Sequence, residues 1–385
     1  MLQRRSAPGW KAPLAVGGAV LLIVCQPDVD TRAGIQTWSV DSLARAEWQR
    51  VDGPAAEQAV LDVGPPGSWR AQAVGSPTVV ARQGEYRMWF SGYADLAPGN
   101  SPYLFKSAIG YASSTNGVHW HVQNDGAPVF QPGPPGSFDE HSVSHPFVLD
   151  RGDHFLMWYA GADGTQGFNQ VRIERVGLAS SPDGVHWTRE NEGKPVLDLG
   201  ESGEPDSIQV NAPTVVRRPD GYVMWYGAYN GAHSIMTAWS ADGLNWVKLN
   251  GHRPVRGLTG AGGAGGGRVW PWLRPLAGAQ VTDGEELGPS VYHDGSGYYL
   301  LFGSRRNREW IMLGAQSANG LDWILTSAGP LLGAAEPIRF DSSGQGQNRS
   351  VHPSQLVFSE RHAMVWYTGE HEGHQRIGLM VAERR

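Results

Sequence analysis

One phrase, Ser-x-Asp/Asn-Gly-x-x-Trp, is written four times: Ser113–Trp120 (SSTNGVHW), Ser180–Trp187 (SSPDGVHW), Trp239–Trp246 (WSADGLNW) and Gln316–Trp323 (QSANGLDW). Each belongs to a longer unit that opens on a proline in a β-rich run. The five openings are "GSPTVV" at Pro77, "SHPFVL" at Pro146, "NAPTVV" at Pro213, "LGPSVY" at Pro289 and "VHPSQLVF" at Pro353, spaced 69, 67, 76 and 64 residues apart. About a dozen residues later comes an aromatic run: "MWFSG" from Met88, "MWYAG" from Met157, "MWYGA" from Met224, "LLFGS" from Leu300 and "VWYTG" from Val365. A third run follows ("IGYAS", "VGLAS", "IMTAW", "MLGAQ", "IGLMV"), and the Asp/Asn-Gly turn with its tryptophan closes the unit. Short apolar or alternating runs separated by turn chemistry read as strands. Asp-Gly and Asn-Gly suit hairpin turns that need positive φ.

Four strands repeated at this period predict an all-β chain folded as a five-bladed β-propeller, because one blade cannot bury both faces but stacked neighbours can. The fifth copy ends at Arg385 without its Asp-Gly-x-x-Trp strand. The missing piece stands at the other end: "WSVDSLARAEWQRV", Trp38 to Val51, is followed by "AVLDVG", an echo of "PVLDLG" from Pro195. The expectation is that this N-terminal strand completes the last blade and closes the ring, which removes free sheet edges. The propeller domain then spans 36–385. The tryptophan of the repeated phrase is expected to pack between blades.

Residues 1–25 form a separate piece. Arg4, Arg5 and Lys11 precede the apolar run Ala12–Val24, a pattern of export signals that is short for a membrane span. Cys25, the sole cysteine, follows "LIV", a partial lipoprotein box with Val24 where a small residue is usual. The expected location is therefore secreted or periplasmic, with a lipid anchor at Cys25 as the sole membrane link. A chain with one cysteine has no internal disulfide and no thiolate metal site. The net charge of −6 speaks against nucleic acid as a partner. A monomer is expected. The run Gly257–Pro275 (GLTGAGGAGGGRVWPWLRP) breaks the period, as a flexible loop whose "VWPWL" is either a lid or a surface loop pinned by its own aromatics.

Propeller topology points the residues before the five prolines at the axis. Their approaches differ: "SWRAQAVGSP", "FDEHSVSHP", "EPDSIQVNAP", "TDGEELGP" and "QNRSVHP". Asp139 and Asp206 each lie seven residues before their proline, with Val143 and Val210 at matching offsets, and Glu286 lies three before Pro289. Three acids aimed at one hub are what glycosidic bond cleavage needs: a protonated donor, an ionised group that activates water, and a charge that tunes the donor. The competing reading is that an Asp before a strand caps a turn. His145 and His352, directly before their prolines, and Asn211 and Arg349 are candidate substrate contacts; hydrogen-bonded structural roles remain open for each. "EHEGHQ", Glu370–Gln375, reads as a polar hairpin loop rather than a metal cluster, and no metal site is expected.

The repeat, with "MWY-G" and "A-x-S-x-D-G-x-x-W", resembles the five-bladed propeller glycoside hydrolases of families 43, 32 and 68 and the related family 130 phosphorylases, over nearly the whole chain after residue 36. The stretch "EELGPSVYHDGSGYYLLFGS" is similar to the family 43 segment that carries the general acid. The resemblance implies a glycosidase acting on furanosides or on plant- or microbe-type polysaccharides. Glu286 would be the acid (Glu285 if the register slips), Asp139 the base and Asp206 the modulator. It implies no organic cofactor; in some family 43 members a central Ca2+ is bound, for which His352 would be the ligand here. One departure matters: the families place the base on the first blade, where this chain has Ser76 in "VGSP". That leaves two other functions open. One is a non-catalytic carbohydrate- or protein-binding propeller. The other is a glycoside phosphorylase, for which Arg349, Arg305 and Arg306 are the candidate phosphate ligands.

Overall fold

The computed structural model describes residues 38–94, 106–167, 171–258, 286–306, 309–326, 331, 349–359, 361–371 and 374–384. The export-like segment 1–25, "VWPWL", Glu285 and the side chains of Glu286, Arg305, Arg306 and Arg349 lie outside the described residues.

In chain order, a short helix α1 (Val40–Ala44) and strand β1 (Trp48–Val51) precede the blades. Blade one comprises β2 (Ala73–Arg82), β3 (Glu85–Tyr93), β4 (Ser107–Ser114) and β5 (His121–Val122). Blade two comprises β6 (Ser142–Asp150), β7 (Phe155–Ala162), β8 (Arg175–Ser181) and β9 (Thr188–Arg189). Blade three comprises β10 (Gln209–Arg218), β11 (Gly221–Tyr229), β12 (His233–Ser240) and β13 (Val247–Lys248). Blade four comprises β14 (Glu286–His293), β15 (Tyr298–Arg306), β16 (Glu309–Ser317) and β17 (Ile324–Leu325). Blade five comprises β18 (Arg349–Val351), β19 (Val357–Phe358), β20 (His362–His371) and β21 (His374–Glu383). Every blade is an antiparallel meander, and blades one to four end in an outer strand two residues long. Short outer strands present little edge for another chain to pair with.

Closure follows the expectation. Strand β1 pairs antiparallel with β21, Trp48 opposite Ala382 and Val51 opposite Leu379. The echo "AVLDVG" also behaves as its counterpart does: Leu61 bridges Ile377 as Leu197 bridges Val176. Only Trp48–Val51 of the closing segment is strand, however. Ser39 caps α1 by accepting from the Ser42 N–H, and Val40 N–H donates to Asp294 on blade four. The run "EHEGHQ" is the tip of a hairpin, with Glu370 opposite Gln375 and His371 opposite His374.

The repeated phrase is the seam between blades. In each copy the serine hydroxyl accepts the glycine N–H, and the Asp/Asn carboxyl or amide oxygen accepts the next two N–H groups; in blade two these are Ser181, Asp183, Gly184, Val185 and His186. The freed glycine carbonyl receives an indole N–H from the preceding blade: Trp89 to Gly184 (2.7 Å), Trp158 to Gly243 (3.2 Å), Trp225 to Gly320 (2.8 Å) and Trp366 to Gly117 (2.8 Å). All four tryptophans are completely buried and meet the phrase's own tryptophan edge to face. Burying a large side chain contributes about 1.5–3 kcal/mol, and a well-placed aromatic pair about 0.5–1.5 kcal/mol more.

Blade four breaks the rule for a local reason. Leu301 stands where the others carry tryptophan, and the blade it faces is closed by β1, which has no Asp-Gly turn to accept an indole N–H. Trp38, Val40, Leu43 and Trp48 pack there with Leu301. The residue type on one blade thus answers the turn on the next.

Candidate functional site

The prolines do not begin the inner strands, as the sequence alone implied: in blades one to four they sit within them, at a bulge, and in blade five Pro353 lies between β18 and β19. The ladders of β2, β6, β10 and β14 with their neighbours each slip between the residue two before the proline and the residue after it. The residue before each proline has positive φ: Ser76 (+47°), His145 (+51°), Ala212 (+43°), Gly288 (+60°) and His352 (+51°). A bulge leaves a backbone donor without a ladder partner, and proline has no N–H to orphan. In blades one and two the preceding N–H is taken up by a hydroxyl of the neighbouring blade, Ser76 to Thr368 (2.7 Å) and His145 to Ser91 (2.8 Å). These left-handed residues turn inward, where they and the prolines line an axial cavity with Thr78, Thr214, Ser290 and Ser354. Its volume is about 30 Å3. That holds a water or two, well short of the ~300 Å3 of a small-molecule site. A ligand of small-molecule size is therefore confined to the mouth of the hub, at the end where the inner strands start.

Two of the three predicted acids do not reach it. Asp139 is fully buried within blade two: Ser137 Oγ donates to it at 2.8 Å, Tyr159 OH at 3.0 Å and Arg189 Nε at 2.8 Å. Asp206 is fully buried within blade three, with Tyr226 OH at 2.9 Å and Lys248 Nζ at 2.7 Å. Burial first, and the facing carboxylate second, push both phenols up, well above the usual tyrosine range for Tyr226. Neither acid borders the axial cavity. The expectation that they converge on the hub is thus corrected. Each ties its blade's approach loop to the middle strand and to the outer strand. Blade one makes the point by substitution, with Arg70, Phe90 and Val122 in place of the acid, the tyrosine and the cation. Glu286 opens β14 opposite Ser304, and Arg349 opens β18 opposite Glu370, so the backbone of both starts at the mouth end.

The mouth carries a carboxylate that sequence reasoning missed. Glu174, just before β8, is 3% exposed. It accepts from Arg172 Nη2 (2.9 Å), Asn211 Nδ2 (2.7 Å) and Gln209 Nε2 (3.2 Å), which joins blades two and three. Arg172 Nη1 also donates to Ser142 Oγ at 3.2 Å. Tyr93 closes the cluster toward blade one: its hydroxyl shares hydrogen bonds with Ser91 and Ser76, and burial raises its phenol while the Arg172 charge acts the other way. Of the predicted contacts, Asn211 thus meets Glu174, and His145 and His352 meet each other, ring centroids 4.8 Å apart at 61°. Burial, and then the Arg172 charge, drive the His145 imidazole down to about 3. The available signal was "VRIERVGLAS": third strands start at the mouth as inner strands do, and an acid at such a start was open to the same reading. Among the described residues, no three His, Cys, Asp or Glu side chains are grouped to hold a metal.

No protein-family model matches the chain. Two uncharacterized proteins of Mycobacterium tuberculosis strains are each 33% identical over 115 residues, and the match spans 29% of this chain and 36% of each relative. Among solved structures, a putative glycoside hydrolase from Parabacteroides distasonis superposes with TM-score 0.65 at 15% identity, covering 90% of this chain and 99% of its own. A structure from the GH130 family of mannoside phosphorylases, described as containing glycoside hydrolases that target β-1,2 mannosidic linkages in Candida mannan, gives 0.62 at 15%, over 87% and 93%. The family 117 glycoside hydrolase Zg3597 of Zobellia galactanivorans gives 0.58 at 15%, over 88% and 90%. The chain shares its five-bladed propeller fold with these solved structures.

Proposed function

We propose that this chain cleaves glycosidic bonds of an oligo- or polysaccharide by hydrolysis at the mouth of the hub. The observation that carries the reading is the Glu174 cluster: a buried carboxylate held by three donors from two blades, beside a half-buried phenol and a hub imidazole. Arginine, amide and carboxylate groups that converge on one concave mouth suit the dense hydroxyls of a sugar. In this reading Glu174 activates water and Glu286, on the family resemblance, protonates the leaving oxygen. In this reading the departure at Ser76 ceases to be an obstacle, because the base comes from the start of the third strand of blade two, just before β8. A furanoside substrate, inversion at the anomeric carbon and export through residues 1–25 belong to the same proposal.

The test is a screen of the purified chain on 4-nitrophenyl furanosides and pyranosides, with and without phosphate, followed by Glu174→Gln and Glu286→Gln on whichever glycoside turns over. Loss of a general acid or base costs about 10²–10⁴-fold in rate. Both variants should fall by that much and still bind the glycan. Full activity in Glu174→Gln would remove the base assignment. Glycan binding without turnover of any substrate would identify a binding propeller instead, and turnover that requires phosphate would identify a phosphorylase.

A further inference from the structure

The residue before each proline is small in three blades, Ser76, Ala212 and Gly288, and is histidine in the other two. The bulge itself does not ask for an imidazole: Ala212 and Gly288 take the same left-handed backbone at +43° and +60°. Histidine is among the residues that tolerate positive φ, so the backbone permits an imidazole here without requiring one. The His145 ring is held on two sides. Its Nδ1 hydrogen-bonds Ser144 Oγ at 2.9 Å, and the ring meets that of His352 at 61°. Nε2 has no hydrogen-bond partner among the described residues, and the residue borders the hub cavity next to the Tyr93–Arg172–Glu174 cluster. A fixed ring with one nitrogen engaged and the other open is a hydrogen-bonding group set out for a visitor.

We infer that His145 is a specificity-determining residue of the mouth, whose Nε2 exchanges one hydrogen bond with an uncharged hydroxyl of the bound sugar. The inference deepens the proposed function and rests on it. The cavity beneath admits a hydroxyl but not a ring, so the group read is a single substituent that points down the axis. The charged or titratable groups that face the imidazole are Arg172 before β8 and His352 in blade five. Burial and the Arg172 charge keep the ring neutral through the ordinary pH range. A neutral ring offers one donor or acceptor, which a hydroxyl can meet in either sense.

The experiment uses the full chain with 15N-labelled histidine, observed by NMR from about pH 5 to 8, where an ordinary histidine titrates. It is then mixed in turn with methyl glycosides of mannose, xylose, galactose and arabinofuranose. The expected result is that the His145 ring nitrogens hold neutral-imidazole shifts throughout, and that Nε2 moves with one or more of the glycosides. His145→Ala, a residue that blade three already carries at this place, should weaken the responding glycoside about tenfold, or about 1.4 kcal/mol. Titration of His145 within that range would overturn the inference. So would a glycoside that shifts the Arg172 and Glu174 backbone amides but leaves the imidazole and the His145→Ala affinity unchanged; in that case the sugar reading survives and His145 falls. If none of the glycosides moves any resonance of the mouth, the sugar reading itself fails and takes this inference with it.

Discussion

Gly117 and Gly126 lie in the same blade with nearly the same backbone, φ +76° and +77°, yet they should differ as sites for alanine. A Cβ at Gly126 meets nothing within 4 Å, whereas one at Gly117 comes to 2.8 Å from Trp366 Cζ2. The left-handed conformation costs alanine about 1–2 kcal/mol at either place. Gly117 adds overpacking, because Trp366 cannot retreat: it is fully buried, its indole N–H is bound to the Gly117 carbonyl, and Trp120 and Tyr86 flank it at 5.7 Å. Overpacking costs about 1–3 kcal/mol. Gly117→Ala should therefore lose about 2–5 kcal/mol and Gly126→Ala about 1–2 kcal/mol. Urea transitions followed by tryptophan fluorescence and far-UV dichroism, compared at equal slope, give both values. Trp366→Phe should cost less in the Gly117→Ala background than in the native chain, since a smaller ring makes room for the methyl. Equal losses at the two glycines, or additive costs in the double variant, would refute the claim that the phrase works as a seam between blades.

Leu301→Trp should destabilise by about 1–3 kcal/mol, read as a lower Tm, because no turn carbonyl waits for its N–H and Trp38, Leu43 and Trp48 already fill the space. Asp139→Ala removes the carboxylate partner of Arg189, which keeps the Gln131 carbonyl at 2.6 Å, the Phe130 ring and 22% exposure; the loss should be about 2–3 kcal/mol, below the ~3–5 kcal/mol of a fully buried pair, with turnover per folded molecule unchanged. His145 is depressed to about 3 in the fold against about 6.5 in the unfolded chain, so the unfolded chain binds the extra proton between those values. Its contribution to stability is complete above about pH 6.5 and is lost as pH falls toward about 3; urea midpoints measured across that window should flatten in His145→Ala.

The ring was legible in the sequence because its seams are chemical. A glycine with positive φ, a serine three residues before it, an Asp or Asn directly before it and a tryptophan three residues after it leave few alternatives, and they recur at a near-constant period. The closing strand was legible as an absence, since blade five lacked a phrase and Trp38–Val51 supplied a strand. The reason for Leu301 was not legible, because it lies in the next blade over and appears only once the neighbours are known. The acids were misread for a geometric reason. On a strand approach, one residue decides whether a side chain points to the axis or into its own blade, and the bulge at the prolines of blades two and three shifts that count for Asp139 and Asp206.

Comparison among the blades separates architecture from function where the chain offers no other guide. Asp139, Tyr159 and Arg189 recur as Asp206, Tyr226 and Lys248, and all three change together in blade one. A set that repeats with its partners intact is doing the same mechanical task in each copy. Glu174 has no such counterpart. Its place beside the next inner strand, where it pairs in parallel with Gln209, is held in blade five by Gln375 beside Ala73. The residue two before the proline changes with it, Asn211 in one blade and Gly75 in the other. A ring needs five equivalent joints, and Gln375 shows that the joint closes without a charge. The carboxylate at Glu174, its arginine and its amide partners therefore exceed what closing the ring requires, and that excess at the mouth is where the chemistry of this propeller should be sought.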